Sequence, residues 1–418
     1  MSSGALQPIR GMSDITAPEI FLWQQLESTA RKVLSAYGIT ELRTPIVEQT
    51  AVFLRSLGDT TDVVQKEMYR FEDRGGRDLA LRPEGTAGII RHIAGAGQEA
   101  QDARVYYIGP MFRAERPAAG RRRQFHQLGV EAMGAASPAA DVEMIALQAH
   151  LLESWGIRNF VMQVNTRGVG EDHAAVAEGL RDALKPHLSE LCEDCQRRFE
   201  ENPLRIVDCK NPQCREIVSG IPAVTSFMSQ ESRDYLDEVL QLLQHLEIPA
   251  VANPTLVRGL DYYAHTVWEV THSGLGAQDA LSGGGRYALK LGRGAYEGVG
   301  FAIGIERIVA VLMGQGIDPA TLAQPPRVWL VAQGEAAVLE NMILMQSLRL
   351  RGISAMMDLR GRSMKAQLRA ANKAGCPFVV IRGDQEMEQG TFQLKDMQEG
   401  SQTELAMPEL LERLLART

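Results

Sequence analysis

The sequence contains no Gly-Lys dipeptide. That excludes a Walker-type phosphate loop, which needs a lysine behind its glycines. It also lacks an H-E-x-x-H helix, a kinase catalytic loop and a G-x-S-x-G elbow, so zinc-protease, kinase and α/β-hydrolase chemistry have no local support. No run of 18 apolar residues occurs, and the opening MSSGALQPIRG has neither the basic nor the apolar region of a signal peptide. The expectation is a soluble, cytoplasmic chain with no membrane partner. Surplus positive charge is missing too: 44 Lys and Arg stand against 52 Asp and Glu, a formal net charge of −8. Such a balance argues against a general nucleic-acid coat but not against a local basic surface for a folded RNA.

With 418 residues, 45% of them hydrophobic, the chain has material for two or three ordinary packed domains. Against the acidic background, the loop RAERPAAGRRR carries Arg113, Arg116, Arg121, Arg122 and Arg123. The flanking runs RVYYIGPMFR and QFHQLGVEAM read as strands, and the Pro/Ala/Gly-rich turn between them predicts an antiparallel hairpin with a basic tip. Alternation puts Phe125, Gln127, Gly129 and Glu131 on one face. A ring, an amide, a gap and a carboxylate suit a small polar ligand, whereas arginines suit a polyanion.

Residues 19–37 carry a helical stripe of Trp23, Leu26, Ala30, Val33, Leu34 and Tyr37, closed by Gly38. TELRTPIVE then reads as a strand, with Pro45 favouring an edge. EMYRFED and DLALRPE form a second hairpin around RGG, and EGTAGIIRHIAG starts a helix, so Glu84 and Thr86 lie at a strand-to-helix junction. From about 165 to 250 the chain reads as a helical insertion. Strand signals return with TLVRGLDYYAHTVWEVT and LSGGGRY; GVGFAIGIERIVAVLM is a strand leading into a helix, with Arg307 in its first turn, where anions are favoured. GVGFAIG has G-x-G-x-x-x-G spacing but opens no long βαβ unit, so a dinucleotide site is discounted. After LAQPPRV, alternating strands and helices predict a small α/β domain with a basic stretch from Arg349 to Lys373.

Four of the five cysteines cluster as CEDC (Cys192, Cys195) and CKNPQC (Cys209, Cys214). The first pair has zinc-knuckle spacing, and two such pairs could supply four thiolates. The second pair has a wider gap, and the bland reading is four partly buried thiols in a surface insertion. Arg113, Arg121, Arg258 and Arg307 sit at element boundaries and are candidates for holding a polyphosphate, since arginine binds phosphate bidentately and stays charged. Glu84, Glu131 and Asp261 lie in glycine-rich, aromatic or apolar segments, where a carboxylate is costly without a partner. An ammonium group would supply one. Together these residues point to an amino acid meeting ATP.

These segments resemble those of a known family. MFRAERPAAGRRRQFHQLGVE is similar to motif 2 of class II aminoacyl-tRNA synthetases, GVGFAIGIERI to motif 3, and the first helix with ELRTPIVE to motif 1. LVRGLDYYAHTVWE and LSGGGRY resemble the two signature segments of the histidyl-tRNA synthetases. The resemblance implies an α+β fold: a six-stranded antiparallel catalytic sheet with flanking helices over residues 1–325, a helical insertion at about 165–250, and a C-terminal α/β anticodon-binding domain at 326–418. It also implies ATP with Mg2+, L-histidine and its tRNA as partners, and a homodimer. Glu84, Thr86 and Gln127 match positions that hold the histidine α-amino group; Glu131 and Tyr263 match those that read the imidazole. Arg113 matches the motif 2 arginine on the α-phosphate and the carboxylate, and Arg258 a second arginine near that phosphate. Arg121 and Phe125 match the γ-phosphate and adenine positions, and Arg307 the motif 3 arginine. Tyr262, Tyr287 and Gly304 match pocket-lining positions. Zinc is not a general requirement of the family, which favours the metal-free reading of the cysteines. A rival reading is the non-catalytic, histidine-sensing regulatory subunit of ATP phosphoribosyltransferase, which resembles the catalytic domain alone.

Overall fold

The computed structural model describes residues 6–57, 61, 63–97, 102–118, 120–257, 262–276, 279–291 and 294–415. They fall into two compact units, Met1–Thr321 and Leu322–Thr418. The first is built on an eight-stranded sheet in the order Thr40–Glu41, Arg104–Phe112, Gln124–Met133, Gly294–Gly304, Ala280–Leu291, Tyr263–His272, Phe160–Thr166, Ala250–Ala252. The six central strands pair antiparallel, and each edge strand pairs parallel with its neighbour. The six-stranded antiparallel sheet is therefore present and is extended by a short strand on either side.

The basic hairpin has the register that alternation required: Gly109 faces Gln127 and Val105 faces Glu131, while Gly300 faces Glu131 from the other side. Leu128 and Val130, the alternate residues, are buried, and Leu128 lines a small gap with Leu26, Trp155 and Ile308. Helix Glu19–Ala36 buries Leu22, Trp23, Leu26, Ala30, Val33 and Leu34, and it ends before Gly38, whose φ of 68° is the left-handed stop a glycine supplies.

TELRTPIVE does not form one strand. Thr40–Glu41 joins the large sheet, and Val47–Gln49 joins a separate three-stranded sheet with Asp78–Leu81 and Arg70–Glu72. Pro45, between them, has no N–H to continue a ladder. The buried Arg82 spans the break, donating from Nη1 to the Thr44 carbonyl (3.1 Å) and from Nε to the Pro110 carbonyl (2.9 Å).

Helices fill the stretch between Gly170 and His245: Gly170–Leu184, Glu193–Glu201, Leu204–Val207, Pro212–Gly220 and Gln230–His245. The last is tied to the sheet through the Tyr235 hydroxyl, which bridges a buried ion pair between Arg286 and Asp141 of helix Pro138–Ser154. Arg286, in the glycine-rich strand, donates to Asp141 Oδ1 (2.6 Å), to the Ala135 carbonyl (2.7 Å) and to Tyr235 Oη (3.1 Å), and Tyr235 in turn donates to Asp141 Oδ2 (2.9 Å). The ring of His265 stacks on Tyr235 at 4.2 Å.

The second unit carries a five-stranded sheet ordered Ala355–Met357, Val328–Ala332, Phe378–Arg382, Phe392–Asp396, Gln402–Leu405, the first three parallel and the rest antiparallel. Val328 and Leu330 pack into one cluster with Leu344 and Leu348, while Trp329 and Val331 pack into another with Ala371 and Cys376. Helices therefore cover both faces. The sequence reading missed helix Asp384–Gln389 and the edge strand Gln402–Leu405, which is short, polar and mostly exposed.

Asp141 is fully buried, so removing its cationic partner leaves an uncompensated charge. Arg286→Met is expected to lower stability by about 3–5 kcal/mol, read from the first urea transition. A loss below about 1 kcal/mol would show that the pair does not anchor the helix to the sheet.

Candidate active site

A cavity of about 680 Å³ opens in the first unit, above the middle of the large sheet. At its floor Glu131 is 2% exposed, and its two oxygens accept hydrogen bonds from Thr86 Oγ1 (2.6 Å) and Tyr287 Oη (2.7 Å). Strand pairing makes room for it: a Cβ on Gly300 would stand 2.1 Å from Glu131 Oε2. Burial pushes the Glu131 carboxyl up to about 8; the two hydroxyl donors only partly offset this, and nearby Glu84 adds to it. Tyr287 is held far above its ordinary value by burial and then by Glu131, so its hydroxyl remains a donor.

Glu84 lies at the mouth of helix Thr86–Ala96. Its oxygens take the free N–H groups of Thr86 (2.6 Å) and Ala87 (2.8 Å), the contact a helix N-terminus offers an anion. Burial raises its pKa all the same, against those bonds and the charge of Arg113. Between the carboxylates lies the ring of Tyr107, wedged so closely that a Cβ on Gly85 or on Gly129 would come within 2.1 or 2.2 Å of its Cζ. The gap at Gly129 is thus filled by a tyrosine from the neighbouring strand. Tyr262 and Tyr263 complete the wall, their rings 4.8 Å apart. Gln127 is a decisive member of the site: its buried Oε1 has no hydrogen-bond partner among the described residues. An acceptor in that state calls for a donor from a ligand.

Arginines line the rest of the cavity. Arg113 is fixed by its Nε on the Pro83 carbonyl (3.0 Å) and lies over the Phe125 ring at 5.1 Å, a cation–π contact that orients both. Arg307, in the first turn of helix Ile305–Gly314, donates to the Ala280 carbonyl and to the Gly120 carbonyl (3.2 Å). Burial and then the charge of Arg121 push its pKa down, with Arg113 adding to the effect. A polyanion would relieve that crowding. Arg121 pairs with Glu115 at 3.3 Å and is half exposed, so it can exchange partners at little cost.

The cavity thus brings together Glu84, Thr86, Arg113, Arg121, Phe125, Gln127, Glu131, Tyr262, Tyr263, Tyr287, Gly304 and Arg307. Arg258 and Asp261 lie outside the described residues. Sequence reasoning did not find Tyr107, Glu115, Arg205 or Glu306, all of which line the same space. Glu306 accepts the His126 N–H with both oxygens (3.0 and 2.9 Å), clamping the motif 3 helix to the basic hairpin. Its adjacency to Arg307 was the available signal.

The sequence profile of histidyl-tRNA synthetases matches residues 11–198 and 215–308, and that of an anticodon binding domain matches 328–417. The chain belongs to the histidyl-tRNA synthetase family. It is 44% identical over 422 residues to the histidine–tRNA ligase of Geobacillus thermodenitrificans, covering 99% of both chains. It is 45% identical to that of Synechococcus elongatus, covering 98% of this chain and 94% of the relative. Among solved structures, apo histidyl-tRNA synthetase of Staphylococcus aureus superposes with a TM-score of 0.82 at 32% identity, over 98% of this chain and 99% of that one. A Bacillus halodurans chain described as an ATP phosphoribosyltransferase regulatory subunit/histidyl-tRNA synthetase shares the fold, with a TM-score of 0.66 at 18% identity, over 91% of this chain and 99% of that one.

The buried carboxyl of Glu131 gives this family member a pH signature. Its folded pKa of about 8 lies above the ordinary value of a glutamate, so between roughly pH 4 and 8 the native state holds a proton that the unfolded chain has released. Its contribution to stability therefore falls as pH rises through that window, by at most about 1.4 kcal/mol per unit. Glu131→Gln is expected to flatten this slope in urea unfolding of the ligand-free protein between pH 5 and 8. Parallel profiles for the two proteins would show that Glu131 is not the titrating group.

Proposed function

We propose that the chain is an aminoacyl-tRNA ligase that activates histidine with ATP, releasing pyrophosphate, and transfers it to the 3′ end of its tRNA. The observation that carries this is one cavity joining Gln127, whose buried oxygen has no partner among the described residues, to two buried carboxyl groups and to a crowd of arginines. The ammonium of histidine satisfies Gln127, with Glu84 and Thr86 beside it. Glu131 and Tyr263 hold the imidazole, a small flat ring that presents an N–H to a buried carboxyl group. Tyr262, Tyr287 and Gly304 shape the walls. A site that hydrogen-bonds its substrate's side chain leaves its own groups unpaired with any other amino acid, which accounts for discrimination without a separate editing site.

Arg113, already oriented by Pro83 and Phe125, holds the histidine carboxylate against the ATP α-phosphate. Arg121 takes the γ-phosphate by releasing Glu115, Phe125 stacks the adenine, and Arg307 binds the nucleotide from the helix start. Arg258 is assigned to the α-phosphate by the family resemblance. Mg2+ accompanies ATP as its counter-ion. The attacking carboxylate is already anionic, so no general base is required; in-line attack on the α-phosphorus needs placement and stabilisation of the charge that passes to pyrophosphate. Residues 1–325, with the insertion at about 165–250, form the catalytic part, residues 326–418 receive the anticodon, and the active form is a cytoplasmic homodimer. The regulatory-subunit reading is weaker because the matched relatives are ligases over their whole length and the anticodon module is present.

Histidine alone among the twenty amino acids is expected to support pyrophosphate exchange into ATP. Arg113→Ala should reduce that exchange by at least about 100-fold. Histidine binding without any exchange in the unaltered protein would favour the regulatory reading.

In the anticodon module, Arg349 and Arg362 are engaged internally: Arg349 donates to the Ala355 carbonyl (2.8 and 3.0 Å), and Arg362 pairs with the buried Asp358. Lys365 and Arg369 instead line an open depression on helix Met364–Lys373. Lys365→Ala with Arg369→Ala is expected to raise KM for tRNA and leave pyrophosphate exchange unchanged; an unaltered KM would move the tRNA surface elsewhere.

A further inference from the structure

The folded insertion brings the four cysteines of CEDC and CKNPQC together. Their Sγ atoms all lie within 4.8 Å of one another, and those of Cys192 and Cys209 are 3.9 Å apart. A tetrahedral zinc with Zn–S bonds of about 2.3 Å spaces its sulfurs at about 3.8 Å. All five cysteines of the chain are free thiols. One disulfide would draw two sulfurs together and leave the other two idle, whereas the observed group is mutually close. The wider gap of the second pair is also explained. Cys195 and Cys214 each occupy the third position of a helix, Glu193–Glu201 and Pro212–Gly220, with Cys192 and Asn211 as the N-caps. The additional residues before Cys214 accommodate Asn211 and Pro212, which start that second helix. Each of those two sulfurs thereby sits in the first turn of a helix, facing the other pair. The Cys192 N–H donates to Cys214 Sγ at 3.3 Å, joining the two pairs by an N–H···S bond that lowers the charge on a ligand sulfur.

We propose that Cys192, Cys195, Cys209 and Cys214 hold one zinc ion in a closed four-thiolate structural site that fixes the segment between the two pairs against the ligand cavity. Each thiol gives up its proton as Zn2+ binds. Zinc fits better than iron because the proposed ligase chemistry transfers no electrons, which leaves a redox-inert ion as the structural choice. Cys195 and Cys214 are fully buried in the cluster that holds Leu180, Phe199, Ile206 and Val224, so the ion joins the helices of the insertion at their shared core. The intervening helix Leu204–Val207 carries Arg205, which lines the same cavity as Arg113 and Arg307. Loss of the ion frees the two ends of this segment and displaces a cation from the nucleotide's surroundings. That functional consequence rests on the proposed ligase reading; the metal site does not.

Elemental analysis of the full chain, purified without a metal-affinity tag or chelator, is expected to find about one zinc per chain. Cys192→Ser with Cys195→Ser should abolish it. Because that variant can fail to fold, unaltered protein loaded with Co2+ gives a second reading: the near-ultraviolet thiolate charge-transfer band and strong visible bands of tetrahedral cobalt. Zinc absent from the protein, bound iron with its own visible colour, or two disulfides seen by mass would each overturn the site. Zinc-stripped protein is expected to show a several-fold higher KM for ATP in histidine-dependent exchange, restored by adding zinc. An unchanged KM after complete removal would overturn the coupling to the cavity while leaving the metal content as measured.

Discussion

Two carboxyl groups, Glu84 and Glu131, are buried in one cavity with no lysine or arginine bonded to either among the described residues. Leaving a carboxylate out of water without a cationic partner is expensive, and the penalty appears as the raised pKa of both. Much of the surrounding sequence is explained by keeping those groups in place regardless. Gly300 yields its Cβ space to Glu131, Thr86 and Tyr287 supply hydroxyl donors, and the helix that begins at Thr86 turns its N-terminus on Glu84. A protein selected only for stability would place apolar side chains here.

The supporting networks follow the same logic at a distance. Arg82 closes the break that Pro45 makes between two sheets, so that the strand carrying Pro110 and the segment leading to Glu84 keep a fixed separation. On the opposite side of the sheet's middle, Arg286 and Asp141 are paired within hydrogen-bond distance and tied to Tyr235. Here charge is buried with its complement, and it serves architecture. In the cavity carboxyl groups are buried without one, and on the proposed reading they serve a ligand. The contrast separates structural from functional ionisable groups more sharply than burial does.

The hairpin and its cavity-facing alternation were legible because a strand has a period of two and because Leu128 and Val130 are as apolar as Gln127 and Glu131 are polar. The strand-to-helix position of Arg307 was legible from the change of period at Ile305. What stayed hidden was set by partners distant in sequence. Tyr107 is indistinguishable from any core aromatic until the glycines at 85 and 129 are seen to make way for it. TELRTPIVE reads as one strand because propensity is local, yet its halves are claimed by different sheets. The cysteine pairs looked mismatched for a metal because spacing counts residues, whereas coordination depends on where helices begin.

The arginines and the carboxylates are two halves of one electrostatic argument. Arg307 is crowded by like charge and Glu131 by burial, and each is least at ease when the cavity holds only water. On the proposed reading a triphosphate relieves the first and an ammonium or imidazole N–H the second, and the two ligands share the neighbour Arg113, whose charge already acts on Glu84. With both present, the histidine carboxylate is the one anion that must approach another anion. Arg113, whose charge acts on both Glu84 and Arg307, is the residue proposed to lower that repulsion where the new bond forms. In the proposed mechanism the poorly satisfied ionisable groups of the ligand-free fold thus become the stabilising contacts of the reacting complex, which is the difference in binding that accelerates a chemical step.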